Sequence, residues 1–183
     1  MVVDPAFDEW HEPEAEPEPA GERRGDPAAR VEHARAVAWR ALNRRERTEA
    51  ELRATLARRR VAPADAERVL DELRAGGFVD DAGFALRFAE DRRRLDGWGA
   101  ERIAQRLRAL GVVADQIEAA VAGQEPEAEL AAAMALLRRR VPEPPATPRE
   151  RDRALGILVR KGYGLELAYT ALRRHAGLEE AFE

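Results

Sequence analysis

Apolar residues recur along this chain at steps of three and four, the spacing of one buried face of a helix. The pattern they make repeats at a fixed interval of 51 residues. Leu56, Leu107 and Leu158 each sit near the end of a helix-like segment; ten residues later come Ala66, Ile117 and Ala168, and fourteen later Leu70, Val121 and Leu172. Thr48 and Gly99, which open the first two of these segments, are also 51 apart. A fixed interval of this size implies one small unit used three times.

The first unit spans 29–78. Its opening helix carries Val31, Ala34, Ala38, Ala41 and Leu42 inward. A second helix begins at Thr48, where Thr48-Glu-Ala-Glu51 is a capping box, and places Leu52 and Leu56 one turn apart. The third opens at Pro63, buries Ala66, Val69, Leu70 and Leu73, and stops at Gly76-Gly77. The second unit spans 79–124. Asp80 or Asp81 caps its first helix, with Phe84, Ala85, Phe88 and Ala89 inward, and Gly97-Trp98-Gly99 breaks the chain. A helix with Ile103, Leu107 and Leu110 follows, then one presenting Val113, Ile117, Ala120 and Val121.

The third unit, 125–177, opens at Pro126 with Leu130, Ala133, Met134 and Leu137. Val141-Pro-Glu-Pro-Pro-Ala then reads as a stiff extended connector. Thr147-Pro-Arg-Glu150 is a second capping box, followed by Leu155, Leu158 and Val159, the turn Lys161-Gly162-Tyr163-Gly164, and a last helix with Leu167, Ala168, Ala171 and Leu172. Helices of about 10–15 residues are not stable alone in water, so each must bury its apolar face against its neighbours. The expected fold is all-α: a tandem array of three three-helix repeats forming an elongated, curved molecule.

Composition fits helices, since Ala, Arg, Glu and Leu dominate and aromatic residues are only 5%. Residues 1–28 are rich in proline and glutamate and read as a disordered acidic tail, with 178–183 as a loose C-terminal end. Nine acids against three arginines in residues 1–30 leave that stretch at −6 within a total of −4, so the remaining body is mildly basic at +2. There is no cysteine, which excludes disulfides, thiolate nucleophiles and Cys-ligated metals. No serine occurs, His11, His33 and His175 show no ligand spacing, and no glycine-rich phosphate loop is present. The sequence therefore points away from an enzyme and calls for no cofactor or metal. No apolar run approaches a membrane span and no signal pattern opens the chain, so the expected location is the cytoplasm.

What remains is arginine. Of the 31 basic residues Lys161 is the one lysine, and arginines cluster mostly at or near helix ends, including a run at 138–140 and Arg108. Cations at a helix C-terminus also serve the helix itself by meeting its dipole. Recurrence in successive units makes a basic stripe, which suits a long polyanion or an acidic groove better than a small ligand. The candidate contact residues are Arg44, Arg45, Arg47, Arg58, Arg59, Arg60, Arg92, Arg93, Arg94, Arg102, Arg106, Arg160, Lys161, Arg173 and Arg174. Phe84, Phe88 and Trp39 read as core; Trp98, between two glycines, divides between corner packing and a contact surface.

The central stretch Gly77-Phe-Val-Asp-Asp81, then Phe84-Ala85, the arginines at 92–94, Gly97-Trp-Gly99, Arg102-Ile103, Leu107 and Gly111-Val112, resembles the RecX family of RecA regulators. Arg45-Glu-Arg47-Thr48 followed by Glu51-Leu52 looks like the family's Arg-x-Arg-Ser-x-x-Glu-Leu segment, with threonine for serine. Lys161-Gly162-Tyr163 matches more loosely, and the resemblance covers about 32 to 175. There are two departures: Arg59-Arg60 stands where the family has lysine-glycine, and the proline connector at 142–148 is long. The resemblance implies a crescent-shaped helical array lying in the groove of the RecA–DNA filament, and the chain is expected to be a monomer. In that groove it would restrain filament extension, ATPase, strand exchange and SOS co-protease activity; members also bind DNA, so single- and double-stranded DNA are candidate partners. Two other readings stay open on the residues alone: a helix-turn-helix-type protein acting on duplex DNA, and a helical-repeat adaptor for another protein.

Overall fold

A computed structural model describes residues 26–123 and 125–177. The acidic leader up to residue 25 and the C-terminal end from 178 lie outside the described residues. Among those described there are nine α-helices and no strand. They are α1 (Pro27–Leu42), α2 (Glu49–Arg58), α3 (Pro63–Ala75), α4 (Asp81–Asp91), α5 (Ala100–Ala109), α6 (Ala114–Ala122), α7 (Pro126–Arg140), α8 (Pro148–Lys161) and α9 (Leu165–His175).

The starts of these helices follow local chemistry. Helix α1 opens inside the stretch read as leader, because Asp26 accepts a hydrogen bond from Ala28 N (2.9 Å) and Pro27 supplies a ready-made first turn. Thr48/Glu51 and Thr147/Glu150 both close as reciprocal capping boxes. Of the two central aspartates, Asp80 caps α4 through Gly83 N (3.0 Å), which frees Asp81 for a contact elsewhere.

Each triplet has its own apolar core. Val31, Ala34, Val37, Ala38, Leu52, Leu56, Val69 and Leu70 form the first; Ala85, Ala89, Ile103, Leu107, Val112, Ile117 and Ala120 the second; Ala133, Leu137, Leu158, Tyr163, Ala168 and Ala171 the third. Every extensive helix contact lies within a triplet: α1, α2 and α3; α4 and α5 on α6; α7, α8 and α9. Fully burying a leucine stabilises by about 1.5–3 kcal/mol, so each core accounts for its own repeat. The expected inward placement of Val113 is corrected. Val113 is the N-cap residue of α6, outside the helix, and is 59% exposed; Val112, one residue earlier, is buried instead.

The 51-residue interval acquires a backbone meaning. After α2, α5 and α8 the chain turns through Arg60, Gly111 and Gly162, all with positive φ (56°, 82° and 85°). The next residues, Val61, Val112 and Tyr163, donate N–H to Leu56 O, Leu107 O and Leu158 O at 3.1, 3.1 and 3.2 Å. Arg60, Gly111 and Gly162 donate to Ala57 O, Arg108 O and Val159 O at 2.9, 3.0 and 2.9 Å. This pair of bonds is the Schellman motif, in which the left-handed residue lets the last carbonyls of a helix find donors. The third copy departs at its start: α8 begins at Pro148, three residues before the position 51 after Ala100, where α5 begins, and is longer than α2 or α5.

The same turns join the repeats. Thr48 Oγ1 donates to Leu110 O (2.6 Å), and Gly99 N donates to Lys161 O (2.8 Å), so the C-terminal end of each middle helix docks on the N-terminal end of the preceding one. The first-turn amides of α2 and α5 donate in parallel to carboxylates of the next repeat: Glu49 N to Asp81 (2.9 Å) and Ala100 N to Glu129 (3.1 Å). Burial pushes the Asp81 carboxyl above its ordinary value, against the pull of the Glu49 amide. Arg87 pairs with Glu46 across the first junction. Lys161 Nζ donates to Asp96 O (2.9 Å), Tyr163 OH to Gly97 O (3.3 Å) and Glu101 N to Gly162 O (3.0 Å) across the second. Helices α8, α5 and α2 therefore run head to tail through polar junctions.

Candidate protein and nucleic-acid interface

The arginines divide by what their side chains already hold. Arg47 is 8% exposed and its Nε donates to Ala41 O (3.3 Å), closing the α1–α2 turn. Arg45 is paired with Glu51 (2.7 Å) and is 51% exposed. Burial disfavours the charged Glu51, but the Arg45 bond and charge and the Thr48 amide outweigh it and hold the carboxyl below its ordinary value.

The central run does not form a uniform basic edge. Helix α4 continues into a π-helical turn over Arg92–Asp96 that ends in left-handed Gly97. The wider turn rotates the three arginines apart. Arg92 pairs with Asp96 (2.6 Å) and lies 5.3 Å from the Phe88 ring centre and 5.8 Å from that of Trp98. Arg93 turns inward and donates to Ala120 O (3.1 Å) and Val121 O (2.8 Å), capping the end of α6; burial pushes its guanidinium below its ordinary value. Arg94 is exposed and pairs with Asp91 (3.1 Å). Phe84 and Phe88 stack at 5.9 Å and are partly buried against the second core. Trp98 packs edge-on to Phe88 (6.3 Å) and half-buried, with Arg102 over its face at 4.4 Å. Trp39 is likewise half-buried, edge-on to exposed Phe78 at 4.6 Å.

Arg102 donates from Nη1 to Arg160 O (2.9 Å), so it belongs to the second junction together with Lys161. Arg106 is half-buried on α5. Arg44, Arg58, Arg59, Arg60, Arg160, Arg173 and Arg174 are exposed. Arg58 donates to Thr55 Oγ1 (3.0 Å) and Arg173 to Thr170 Oγ1 (3.2 Å). The structure thus brings Arg92, Arg102, Arg160 and Lys161 to one junction and leaves Arg58–Arg60 at the far end of α2. It does not bring these groups into one site. Exposed Arg149 and Arg153 on α8 are absent from the sequence-level candidates. Their four-residue spacing within a helical pattern was the available signal. Among the described residues no cluster of His, Cys, Asp or Glu is arranged to hold a metal, and no helix is long and apolar enough to cross a membrane.

Tandem three-helix repeats, Schellman turns at a fixed interval and polar head-to-tail junctions define the class: a helical-repeat protein with basic ends. Family comparison agrees with that division. Residues 34–73 match the model of the RecX first three-helix domain, and residues 80–121 that of the second. Regulatory protein RecX of Thermobifida fusca is 38% identical over 148 residues, covering 80% of each chain. That of Mycolicibacterium smegmatis is 35% identical over 158 residues, covering 82% of this chain and 84% of its own. The crystal structure of RecX from Lactobacillus salivarius superposes with a TM-score of 0.73 at 16% identity, over 84% of this chain and 99% of that one. A second crystal structure of a regulatory protein RecX gives 0.69 at 23% identity, over 80% and 73%. The chain belongs to the RecX family of regulatory proteins.

Proposed function

We propose that this protein is a non-enzymatic, cytoplasmic modulator of RecA that binds the RecA–DNA filament as a monomer. It restrains filament extension and, with it, ATPase, strand exchange and SOS co-protease activity. The observation that carries the reading is the repeated junction. At two successive joints the carbonyl before a left-handed turn accepts from the start of the preceding middle helix, and that helix's first amide donates to a carboxylate of the next repeat. This spaces the repeats regularly and suits a partner that is itself periodic. Linked weak contacts then add avidity without any one being strong. The exposed arginines at the ends of α2 and α9, Arg58, Arg59, Arg60, Arg173 and Arg174, are the residues assigned to acidic surfaces of the filament.

The test is a titration of the purified chain into RecA on single-stranded DNA, reading ATP hydrolysis. Inhibition at substoichiometric protein is expected. A flat response across a wide range of ratios removes the reading.

A further inference from the structure

The solvent face of α8 differs from the acid-matched faces of repeat 1. On those faces Arg30 pairs with Asp65 (3.0 Å), Arg53 with Glu67 (2.7 Å) and Glu49 (2.6 Å), Arg74 with Glu49 (2.7 Å) and Asp71 (2.8 Å), and Arg35 with Glu72 (2.7 Å). On α8, Arg149, Arg153 and Arg160 are exposed and form no ion pair with any described residue. Acids are close in sequence without matching them. Glu150 is taken by the cap, accepting from Ala146 N (2.9 Å) and Thr147 N (3.0 Å), and Asp152 is exposed at the edge of the face.

These arginines share one side of the helix. At 3.6 residues per turn, positions 149, 153, 156 and 160 fall within an arc of about 60° and span about 16 Å of axis. The fourth position is Gly156, where a Cβ would lie 3.1 Å from Arg160 Nη1, so the arginine rests over bare backbone. The strip does not end with α8. Arg102 Nη1 bonds Arg160 O (2.9 Å) and its guanidinium is held over Trp98, so the next cation follows directly across the junction. Protein interfaces centre on apolar and aromatic anchors, and this arc presents none. Planar guanidinium forks in a row, with no acid among them, suit phosphates.

We propose that the face formed by Arg149, Arg153, Gly156 and Arg160, continued by Arg102, seats the phosphodiester backbone of a nucleic acid. It deepens the function proposed above and rests on the nucleic-acid half of that reading. Contact is through phosphates, so it is sequence-independent and salt-sensitive.

The experiment uses the full chain without RecA and fluorescence anisotropy on labelled single-stranded and duplex oligonucleotides of mixed sequence. The parent binds with an affinity that falls steeply with salt. In the variant Arg149→Gln/Arg153→Gln/Arg160→Gln the salt slope on the single strand becomes shallower by about 2, the release expected for three lost phosphate contacts. Gly156→Glu, which removes no arginine, weakens binding to the same oligonucleotides. Circular dichroism of both variants matches the parent. The proposal is overturned if the parent binds neither oligonucleotide, or if the triple variant keeps the parental slope and affinity. It is also overturned if oligonucleotide binding survives while binding to the assembled RecA filament is lost, since α8 would then be a protein surface. A parent that binds oligonucleotides through α8 yet leaves RecA ATP hydrolysis unchanged supports this site and removes only the RecA reading.

Discussion

Replacing Gly162 by alanine should separate repeats 2 and 3 without unfolding either. Gly162 has φ 85°, and an L side chain in that region costs about 1–2 kcal/mol. The added Cβ would also collide with α5, 2.9 Å from Arg102 Cα and closer still to its N and Cβ. Backbone cannot swing aside as a side chain can, so the docked turn must lift. Lifting it breaks Gly99 N to Lys161 O (2.8 Å), Glu101 N to Gly162 O (3.0 Å) and Arg102 Nη1 to Arg160 O (2.9 Å). At about 1 kcal/mol net for each bond the junction loses about 3 kcal/mol, and with the backbone strain the substitution costs about 4–5 kcal/mol in all. The third core stays whole, because Ala133, Leu137, Leu158 and Leu172 pack among themselves. Small-angle scattering should therefore show a larger radius of gyration while helical circular dichroism is unchanged. Gly123→Ala is the control: its φ is −68° and nothing lies nearer than 3.8 Å to a new Cβ, so its profile should match the parent's. A Gly162→Ala protein with the parent's scattering curve and thermal midpoint would show that the junction does not depend on this close approach.

Two further outcomes follow from the same elements. Arg60 holds the left-handed position that glycine holds in the other two copies, and no repeat docks on it. Arg60→Gly should stabilise by about 0.5–1 kcal/mol, the relieved strain less the added freedom of the unfolded chain; a lowered thermal midpoint would contradict it. Glu51 carries a lowered carboxyl pKa, so its contribution is complete above the ordinary value of 4.5 and is lost as pH falls below it. Glu51→Gln keeps a capping side chain but removes that titration, flattening the acid branch of a midpoint-against-pH curve. The effect should stay under about 1 kcal/mol because Arg45 is half exposed. Asp81 runs the opposite way, its raised pKa making ionisation costly to the first junction as pH rises. An Glu51→Gln curve as steep as the parent's in acid would exclude the pair as a source of acid sensitivity.

Much of the fold was legible because helix starts and buried faces are local properties. Thr48 with Glu51, Thr147 with Glu150, Pro63 and Pro126 mark helix starts by chemistry within one turn, and leucines at helical spacing mark the cores. Periodicity alone carries the apolar pattern of α6 back to Val113, but the turn through Gly111 buries Val112 and leaves Val113 as the exposed N-cap residue. The candidate site was less legible. Charge is visible in sequence, but whether a cation is already engaged depends on partners far along the chain.

The sequence by itself determined three similar helical units and the arginine richness of their surfaces. Tertiary structure decided which arginines are occupied. Arg47 is buried in a turn, Arg93 caps α6 some 27 residues away, and Arg102 reaches a carbonyl 58 residues on, whereas Arg149, Arg153 and Arg160 stay unmatched on one face. It also decided why the repeated left-handed position is glycine twice and arginine once. Gly111 lies against Ala50 Cβ and Gly162 against the backbone of Arg102, each in the preceding repeat, while Arg60 faces solvent at the end of the array. The physical reason is the same in both cases: a side chain's own preference is local, but the space and the partners around it are set by packing between distant segments.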